Sequence, residues 1–168
     1  MNQEKLSNQR HTLAHILASV ILKKYPETKL TLGPAIDNGF YYDIDFLKEK
    51  PETEKDFLYI TEKMKEIIRA GGNFSHKEVT ETEAKEYFQN NIYKLELIDK
   101  IINKEEKINF YTINNFTDLC RGGHVEDLTE IDPESFKITH TAGAYWGGDE
   151  KNKMLTRIYG LAFQSKED

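Results

Sequence analysis

The amino-acid sequence predicts an α+β domain in which helices pack against a mainly antiparallel sheet. Two observations carry this prediction. Apolar residues recur at helical spacing in two long segments of the first half of the chain. Short runs rich in aromatic and β-branched residues, separated by turn-forming residues, dominate the second half. Helices early in a chain and strands clustered late are typical of a sheet covered by helices.

Length and composition favour a single globular domain. The chain has 168 residues, of which 38% are hydrophobic and 31% are charged. This length is sufficient for a hydrophobic core, and the composition is ordinary for a folded protein rather than a disordered one. We therefore assign one domain to residues 1–168 and expect no internal boundary.

Three helices are expected from periodicity and from their end signals. The first begins at Ser7 or Asn8 as its N-cap and runs to about Lys24. The second spans roughly residues 53–70 and ends at a pair of glycines. A capping box at its start predicts a short third helix over residues 80–89.

The strands are expected between these helices and in the second half of the chain. Residues 93–102 suit either a helix or a strand, because their apolar residues fit both periods. The segments predicted to be strands are 28–33, 39–46, 74–79, 108–112, 115–118, 136–145 and 154–163.

The sequence excludes several classes of protein. No apolar run approaches the length of a membrane span, and the start of the chain lacks the apolar core of a signal peptide. Cys120 is the single cysteine, so no internal disulfide can form and a reducing compartment is indicated. We expect a cytoplasmic protein without a membrane partner.

The net charge limits how the chain can bind nucleic acid. It is −6 at pH 7, whereas a broad nucleic-acid-binding surface is usually strongly basic. The charge does not exclude a protein that touches only a few nucleotides at the end of an RNA.

Two pairs of residues stand out as candidates for chemistry. His11 and His15 are four residues apart on the first helix and share a face that differs from the apolar face, so we expect them to line a cleft. Cys120 and His124 have the same spacing across a glycine-rich turn. Three imidazoles and a thiolate suit a tetrahedral zinc ion, and they equally suit a hydrolytic pocket in which a histidine activates water. Each pair alone is weak evidence, since such residues are commonly structural.

Two further residues are weaker candidates on pattern alone. Asp118 lies two residues before Cys120, so both side chains share one face if this segment is a strand. On pattern alone, a turn-forming residue is the favoured interpretation of Asp118, and an acceptor for a bound amine is the alternative. Lys94 lies in a mostly apolar stretch, where a lysine usually keeps its ammonium group at the surface.

Longer stretches resemble a known family. Residues 11–15 (HTLAH) and 118–124 (DLCRGGH) resemble the HxxxH and CxxxH motifs of threonyl-tRNA synthetase editing domains and of the related alanyl-tRNA editing proteins. Residues 33–43 and 142–160 resemble the threonyl branch. The resemblance runs from about residue 10 to residue 163. It implies a helix that carries the two histidines and faces a loop with the cysteine motif, set against an antiparallel sheet.

The resemblance implies an activity and a set of site residues. The activity is hydrolysis of serine wrongly attached to the 3′ end of threonine tRNA, with a synthetase core from the same parent protein as a further partner. The implied catalytic residues are His11, His15, Lys94, Asp118, Cys120 and His124. Lys94 is assigned because residues 93–95 (YKL) resemble the family's tyrosine-lysine-valine stretch.

A mechanism follows as a hypothesis. His11 and Lys94 would position a water that attacks the ester, and His15 and His124 would shape proton transfer. Asp118 would hold the ammonium group of the substrate. Cys120 would line the pocket rather than attack, because a nucleophilic cysteine needs a depressed pKa.

The resemblance leaves the metal and two other functions open. We expect no cofactor; if zinc is bound, its ligands are His11, His15, Cys120 and His124, the residues that hold zinc in the alanyl-tRNA editing proteins. One alternative function is a zinc-dependent editing protein for alanine tRNA. The other is a non-catalytic tRNA-binding module stapled by zinc.

Overall fold

The α-helices lie in the first two thirds of the described chain, between short strands, and the longest strands come last. The computed structural model describes residues 3–165 and residue 167, and within them the chain forms four α-helices and eight strands. The helices are α1 (Gln3–Lys24), α2 (Glu54–Ala70), α3 (Glu81–Tyr87) and α4 (Ile92–Asn103). The strands are β1 (Lys29–Leu30), β2 (Ala35–Ile36), β3 (Gly39–Asp45), β4 (Ser75–Val79), β5 (Ile108–Ile113), β6 (Phe116–Leu119), β7 (Phe136–Tyr145) and β8 (Met154–Ala162). The α+β class is confirmed.

The strands form two antiparallel sheets rather than one. The larger sheet has the order β1-β3-β8-β7, with β2 paired to the first residues of β3. The smaller sheet has the order β4-β5-β6. The expectation of one sheet was wrong because the strands of the middle of the chain pair only with one another, and the last two strands return to pair with β3.

Helix α1 lies at the centre of the fold. Its buried residues include Leu13, Ile16 and Leu17, and also the polar residues Thr12 and His15. The expected cleft on the histidine side of the helix is largely closed, since His15 is only 2% exposed and packs against Phe74 and Phe116 next to and within the smaller sheet. α1 is therefore covered on both sides.

The helix starts show which local signals decide a boundary. α1 begins at Gln3, so Ser7 and Asn8 lie inside the helix rather than capping it. The residues before them are good helix formers, and Glu4 in the first turn stabilises the positive end of the helix dipole. α2 begins after a capping box that was not predicted from the sequence: Thr53 accepts the N–H of Asp56, and the Asp56 carboxylate accepts the N–H of Thr53.

The third helix begins at the predicted capping residues. Thr80 accepts the N–H of Glu83, and the Glu83 carboxylate lies against Lys77 and the backbone N–H of Thr80, which both lower its pKa. The ambiguous segment is the helix α4, which Asn91 caps by accepting the N–H groups of Tyr93 and Lys94.

The strands next to β3 are shorter than expected. The predicted strand over 28–33 is reduced to β1, and β2 forms a separate ladder with β3. Asp37 and Asn38 make the expected turn, with Asn38 at a φ of 67°. β3 and β8 approach closely in the centre of the sheet, since a Cβ atom at Gly39 would lie 1.9 Å from the Gly160 carbonyl oxygen.

Within residues 3–165 and 167, no helix combines the length and the apolar character that crossing a bilayer requires.

The Thr53 cap gives a prediction about stability. We expect Thr53→Ala to lower the free energy of unfolding by about 1 kcal/mol, because the N–H of Asp56 loses its acceptor. Thr53→Ser keeps the hydroxyl and is the matched control. Urea denaturation measures both variants. Equal losses in the two would show that the Thr53 methyl group, rather than the cap, stabilises the helix.

Candidate functional site

The two histidines of α1 meet the cysteine and the histidine that follow β6. One ligand atom from each of His11, His15, Cys120 and His124 lies within 4.8 Å of the other three. The pairs that stood far apart in the sequence therefore form one cluster. Its two halves are α1 and the loop that leaves the smaller sheet after Leu119.

The three imidazole rings pack against one another. His124 stacks on His11 with ring centroids 4.3 Å apart and an interplanar angle of 15°. Phe74 stacks on the other face of His124, at 4.0 Å and 13°. His15 stands edge-on to both His11 and His124, at 4.8 Å and 4.5 Å. The plane of the His124 ring is thus fixed from both sides.

Hydrogen bonds set the orientation of each ring. His11 Nδ1 lies 3.2 Å from the Gly123 carbonyl oxygen. His124 Nδ1 lies 3.1 Å from the Thr12 hydroxyl, and His124 Nε2 lies 3.3 Å from Cys120 Sγ. Since a carbonyl oxygen only accepts, His11 carries its proton on Nδ1 and keeps a free lone pair on Nε2.

The loop between Cys120 and His124 needs its two glycines. Gly122 and Gly123 have φ values of 95° and 86°, which side chains rarely adopt. At Gly122 a Cβ atom would also lie 2.4 Å from the Tyr111 hydroxyl oxygen. The two glycines let the loop turn tightly enough to place His124 beside α1.

A buried ion pair lies next to the cluster. Lys94 Nζ is 2.5 Å from Asp118 Oδ1, and both residues are 2% exposed. Lys94 Nζ also donates to the Thr31 carbonyl oxygen at 2.6 Å and lies 3.2 Å from the Tyr42 hydroxyl. The ammonium group of Lys94 therefore has three partners for its three protons.

Asp118 is equally well satisfied. Its carboxylate accepts hydrogen bonds from the Tyr42 hydroxyl at 2.9 Å and from the Leu119 N–H at 2.8 Å. His15 Nδ1 lies 3.8 Å from Asp118 Oδ2 and makes no hydrogen bond within the described residues. Direct contact of a substrate ammonium with Asp118, or of a water with Lys94, would therefore require one of these partners to be exchanged.

Burial keeps the histidines neutral. Desolvation lowers the pKa of His11, and it lowers the pKa of His15 well below the ordinary value. Desolvation, together with the neighbouring histidines, lowers the pKa of His124 to about 2. Three rings this close together cannot easily share positive charge, so near pH 7 they act as neutral donors and acceptors.

Cys120 is a thiol rather than a thiolate. Burial raises its pKa to about 12, with the neighbouring Asp118 carboxylate adding to the effect. Desolvation and the Asp118 carboxylate also raise the pKa of Tyr42 well above its ordinary value. The cysteine is thus poorly prepared for nucleophilic attack at neutral pH, since the thiolate is the reactive form.

The cluster can also hold a metal. Three histidines and one cysteine are a donor set that zinc accepts, with bonds of about 2.0–2.3 Å. The 4.8 Å spread of the ligand atoms would have to shrink by about 1 Å to reach the corresponding tetrahedral edges. All four ligands together would fill the coordination sphere and leave no position for a water molecule.

A cavity of about 230 Å³ adjoins the cluster at Cys120. Its lining is apolar at Leu32, Leu97, Ile101 and Leu119, cationic at Lys100, Lys104, Lys107 and Arg121, and includes Glu106 and Asn109. Arg121 is paired with Glu106 at 3.0 Å. A larger cavity of about 650 Å³ between α1, α2 and the turn after β5 lies away from these residues and holds none of the candidate site residues.

Several site residues were missed from the sequence. Thr12, Thr31, Tyr42, Phe74 and Tyr111 each contact a candidate residue or hold it in place. Tyr42 gave a weak signal, because its hydroxyl sits on the buried side of a strand and buried hydroxyls need partners. The other four gave none, since their roles depend on contacts made across the fold.

Comparisons with known proteins support the resemblance. Residues 108–159 match the family described as the threonyl and alanyl tRNA synthetase second additional domain. The chain is 47% identical over 163 residues to a threonine–tRNA ligase of Borrelia hermsii, covering 97% of the chain and 27% of that protein. Those of Borrelia turicatae and Borreliella burgdorferi are 44% and 42% identical, each over 99% of the chain. The chain spans about a quarter of the length of these relatives, 27–28%.

The buried ion pair gives a second prediction. We expect Asp118→Asn to lower the free energy of unfolding by about 3–5 kcal/mol, because the Lys94 ammonium is left buried without its counter-charge. The double variant Asp118→Asn/Lys94→Met should lose at least about 1 kcal/mol less free energy of unfolding than the two single variants lose together. Urea denaturation of the four proteins tests this.

A surface variant is the control for the ion pair. Glu134→Gln removes an exposed carboxylate that contacts Lys65 and Arg69, and should cost no more than about 1 kcal/mol. Additive effects of the Asp118 and Lys94 variants would contradict a direct energetic coupling between these two side chains.

The thiol gives a third prediction, about pH. Because the pKa of Cys120 is raised to about 12, alkylation by iodoacetamide in the presence of a chelator should be at least about 100-fold slower at pH 8 than for a free thiol. The rate should keep rising up to pH 10. A plateau near pH 8 would show an ordinary or depressed pKa.

Proposed function

We propose that this chain, which matches the threonyl and alanyl tRNA synthetase second additional domain over residues 108–159 and is 42–47% identical to threonine–tRNA ligases, hydrolyses serine wrongly attached to threonine tRNA. The observation that carries the proposal is the cluster of His11, His15, Cys120 and His124 beside a buried Lys94–Asp118 pair. It supplies a neutral base, several donors and a site largely shielded from water.

The need for such an activity follows from the size of the two amino acids. Serine lacks one methyl group of threonine, and a missing methyl changes binding by only about 1–3 kcal/mol. A second, hydrolytic site solves this problem when it accepts the smaller amino acid. We propose that the extra methyl of threonine is excluded beside the cluster or displaces the attacking water, so that the correct product survives.

We propose His11 as the general base. It is the partly exposed histidine of α1, and its Nδ1 proton is held by the Gly123 carbonyl, which leaves Nε2 free to take a proton from water. The water oxygen bonds to the carbonyl carbon of the ester. The bond to the ribose oxygen then breaks, and that oxygen receives the proton from His11.

The remaining residues surround this step. Lys94 and Asp118 form the polar wall of the site, and we propose that they act by holding Tyr42 and the cysteine loop in position. His15, Cys120 and His124 line the reacting centre. The high pKa of Cys120 supports a water nucleophile over a covalent cysteine intermediate.

We propose that the reaction needs no resident metal. If zinc is held by His11, His15, Cys120 and His124, it supplies Lewis acidity only when one ligand gives way to water or substrate. With all four ligands bound, the cluster favours the alternative of a non-catalytic, zinc-stapled tRNA-binding module, which a chelator would unfold.

The cavity next to Cys120 suits the end of the tRNA. Among the lining residues, Leu97 and Ile101 offer apolar contacts for a terminal base, and Lys100 and Lys104 offer positive charge for the phosphates. We propose that this cavity receives the 3′ end. A small contact region agrees with the net charge of −6, and a synthetase core from the same parent protein would deliver the tRNA. We place this activity in the cytoplasm.

The fourth prediction tests the activity directly. Purified protein should remove serine from threonine tRNA, leave threonine attached, and be indifferent to a chelator. If a chelator abolishes the activity and the protein prefers alanine tRNA charged with serine, the zinc-dependent alanyl-type alternative is supported. Absence of hydrolysis, with unfolding by the chelator, would support the non-catalytic module.

Variants of His11 and Cys120 test the roles of these two residues in the same deacylation assay. His11→Ala should slow serine removal about 10²- to 10⁴-fold, since general base catalysis is worth this much. His140→Ala is the matched control, because His140 stacks on Tyr159 on the outer side of the large sheet. Cys120→Ser should keep substantial activity without an acyl-enzyme. A trappable acyl-enzyme in the parent protein would overturn the water mechanism.

A further inference from the structure

A hydroxyl between the two histidines of α1 points to a further positioning residue. Thr12 is fully buried, and its Oγ1 accepts the Val125 N–H at 3.1 Å. The same oxygen lies 3.1 Å from His124 Nδ1. Thr12 therefore joins α1 to the segment after the cysteine loop through two contacts of one atom.

The direction of the second hydrogen bond follows from the number of protons. A threonine hydroxyl has one proton, and the Val125 N–H already donates to its oxygen. Within the part of the chain that the structure describes, His124 Nδ1 is the other hydrogen-bond partner of this hydroxyl. If Nδ1 also carried a proton, the buried Thr12 proton would have no acceptor, which is unfavourable. Thr12 thus donates, and Nδ1 accepts.

We propose that Thr12 is a positioning residue that holds His124 in the tautomer with its proton on Nε2, so that His124 donates towards Cys120 and His11 remains the base. The Nε2–H group then faces Cys120 Sγ at 3.3 Å. His11, whose Nδ1 proton is held by the Gly123 carbonyl, has the opposite tautomer. Two stacked, neutral imidazoles are therefore made chemically different by one hydroxyl and one carbonyl.

Ring stacking fixes the orientation of His124 and so limits the partners of its two ring nitrogens. His124 lies between His11 and Phe74, so its ring cannot tilt to find other partners for Nδ1. The remaining variable is which nitrogen carries the proton. The catalytic part of this inference rests on the proposed hydrolysis of seryl-tRNA; the tautomer itself does not.

Nuclear magnetic resonance of protein labelled with ¹⁵N-histidine tests the tautomer without an activity assay. Long-range ¹H–¹⁵N correlations distinguish a protonated from an unprotonated ring nitrogen, and a His124→Gln spectrum identifies the His124 signals. In the presence of a chelator, the unsubstituted protein should show His124 with its proton on Nε2. A signal for the proton on Nδ1 would overturn the proposal whether or not the protein deacylates tRNA.

Variants of Thr12 test its contribution to turnover. Thr12→Val keeps the shape and removes the hydroxyl, and should lower kcat about 10- to 100-fold at unchanged KM, as for other residues that orient a histidine. Its His124 spectrum should lose the single Nε2–H form. Thr12→Ser should restore both the spectrum and kcat.

Two results would contradict this role. An equal loss of kcat in Thr12→Ser and Thr12→Val would show that keeping the hydroxyl does not preserve turnover. An unchanged His124 spectrum in Thr12→Val would show that the hydroxyl does not select the tautomer. If Thr12→Val does not fold, the spectrum of the unsubstituted protein and the Thr12→Ser variant still decide between these outcomes.

Discussion

Lys94 and Asp118 join three parts of the fold in a site that is almost closed to solvent. The lysine comes from α4, the carboxylate from β6, and the Tyr42 hydroxyl that contacts both comes from β3. Burying two charges is unfavourable unless their hydrogen bonds are satisfied, and here each charge has several partners. The pair therefore ties the two sheets and a helix together at the place where the histidine cluster lies.

Burial of the site also determines the charge state of the three histidines in the cluster. The Asp118 carboxylate favours the charged form of His11 and His124, but desolvation is the largest effect on each histidine and lowers the pKa of all three. Their chemical differences then come from hydrogen bonding: the Gly123 carbonyl holds one proton of His11, and Thr12 faces Nδ1 of His124. A neutral site with a free imidazole nitrogen suits proton transfer from water better than thiolate attack.

The charge of the chain agrees with the small contact region that we propose for the end of a tRNA. Its net charge is −6, while cations gather beside the cluster around the cavity that adjoins Cys120. Such an arrangement provides local attraction for the end of a nucleic acid without a broad basic surface. The relatives are about four times as long as the chain, since it spans 27–28% of them, which leaves room for other domains of those proteins to bind the rest of a tRNA.

The sequence alone determined the class of fold, the second helix, and most of the later strands, because periodicity, end signals and turns act over a few residues. The HxxxH and CxxxH motifs also pointed to the site. Sequence patterns did not predict the features that depend on contacts between residues distant in the chain. These are the helical state of α4, the division into two sheets, and the burial of Lys94. They gave no sign of Thr12 as a partner of His124. The physical reason is that a buried charge or hydroxyl is defined by partners that only the folded chain brings within hydrogen-bonding distance.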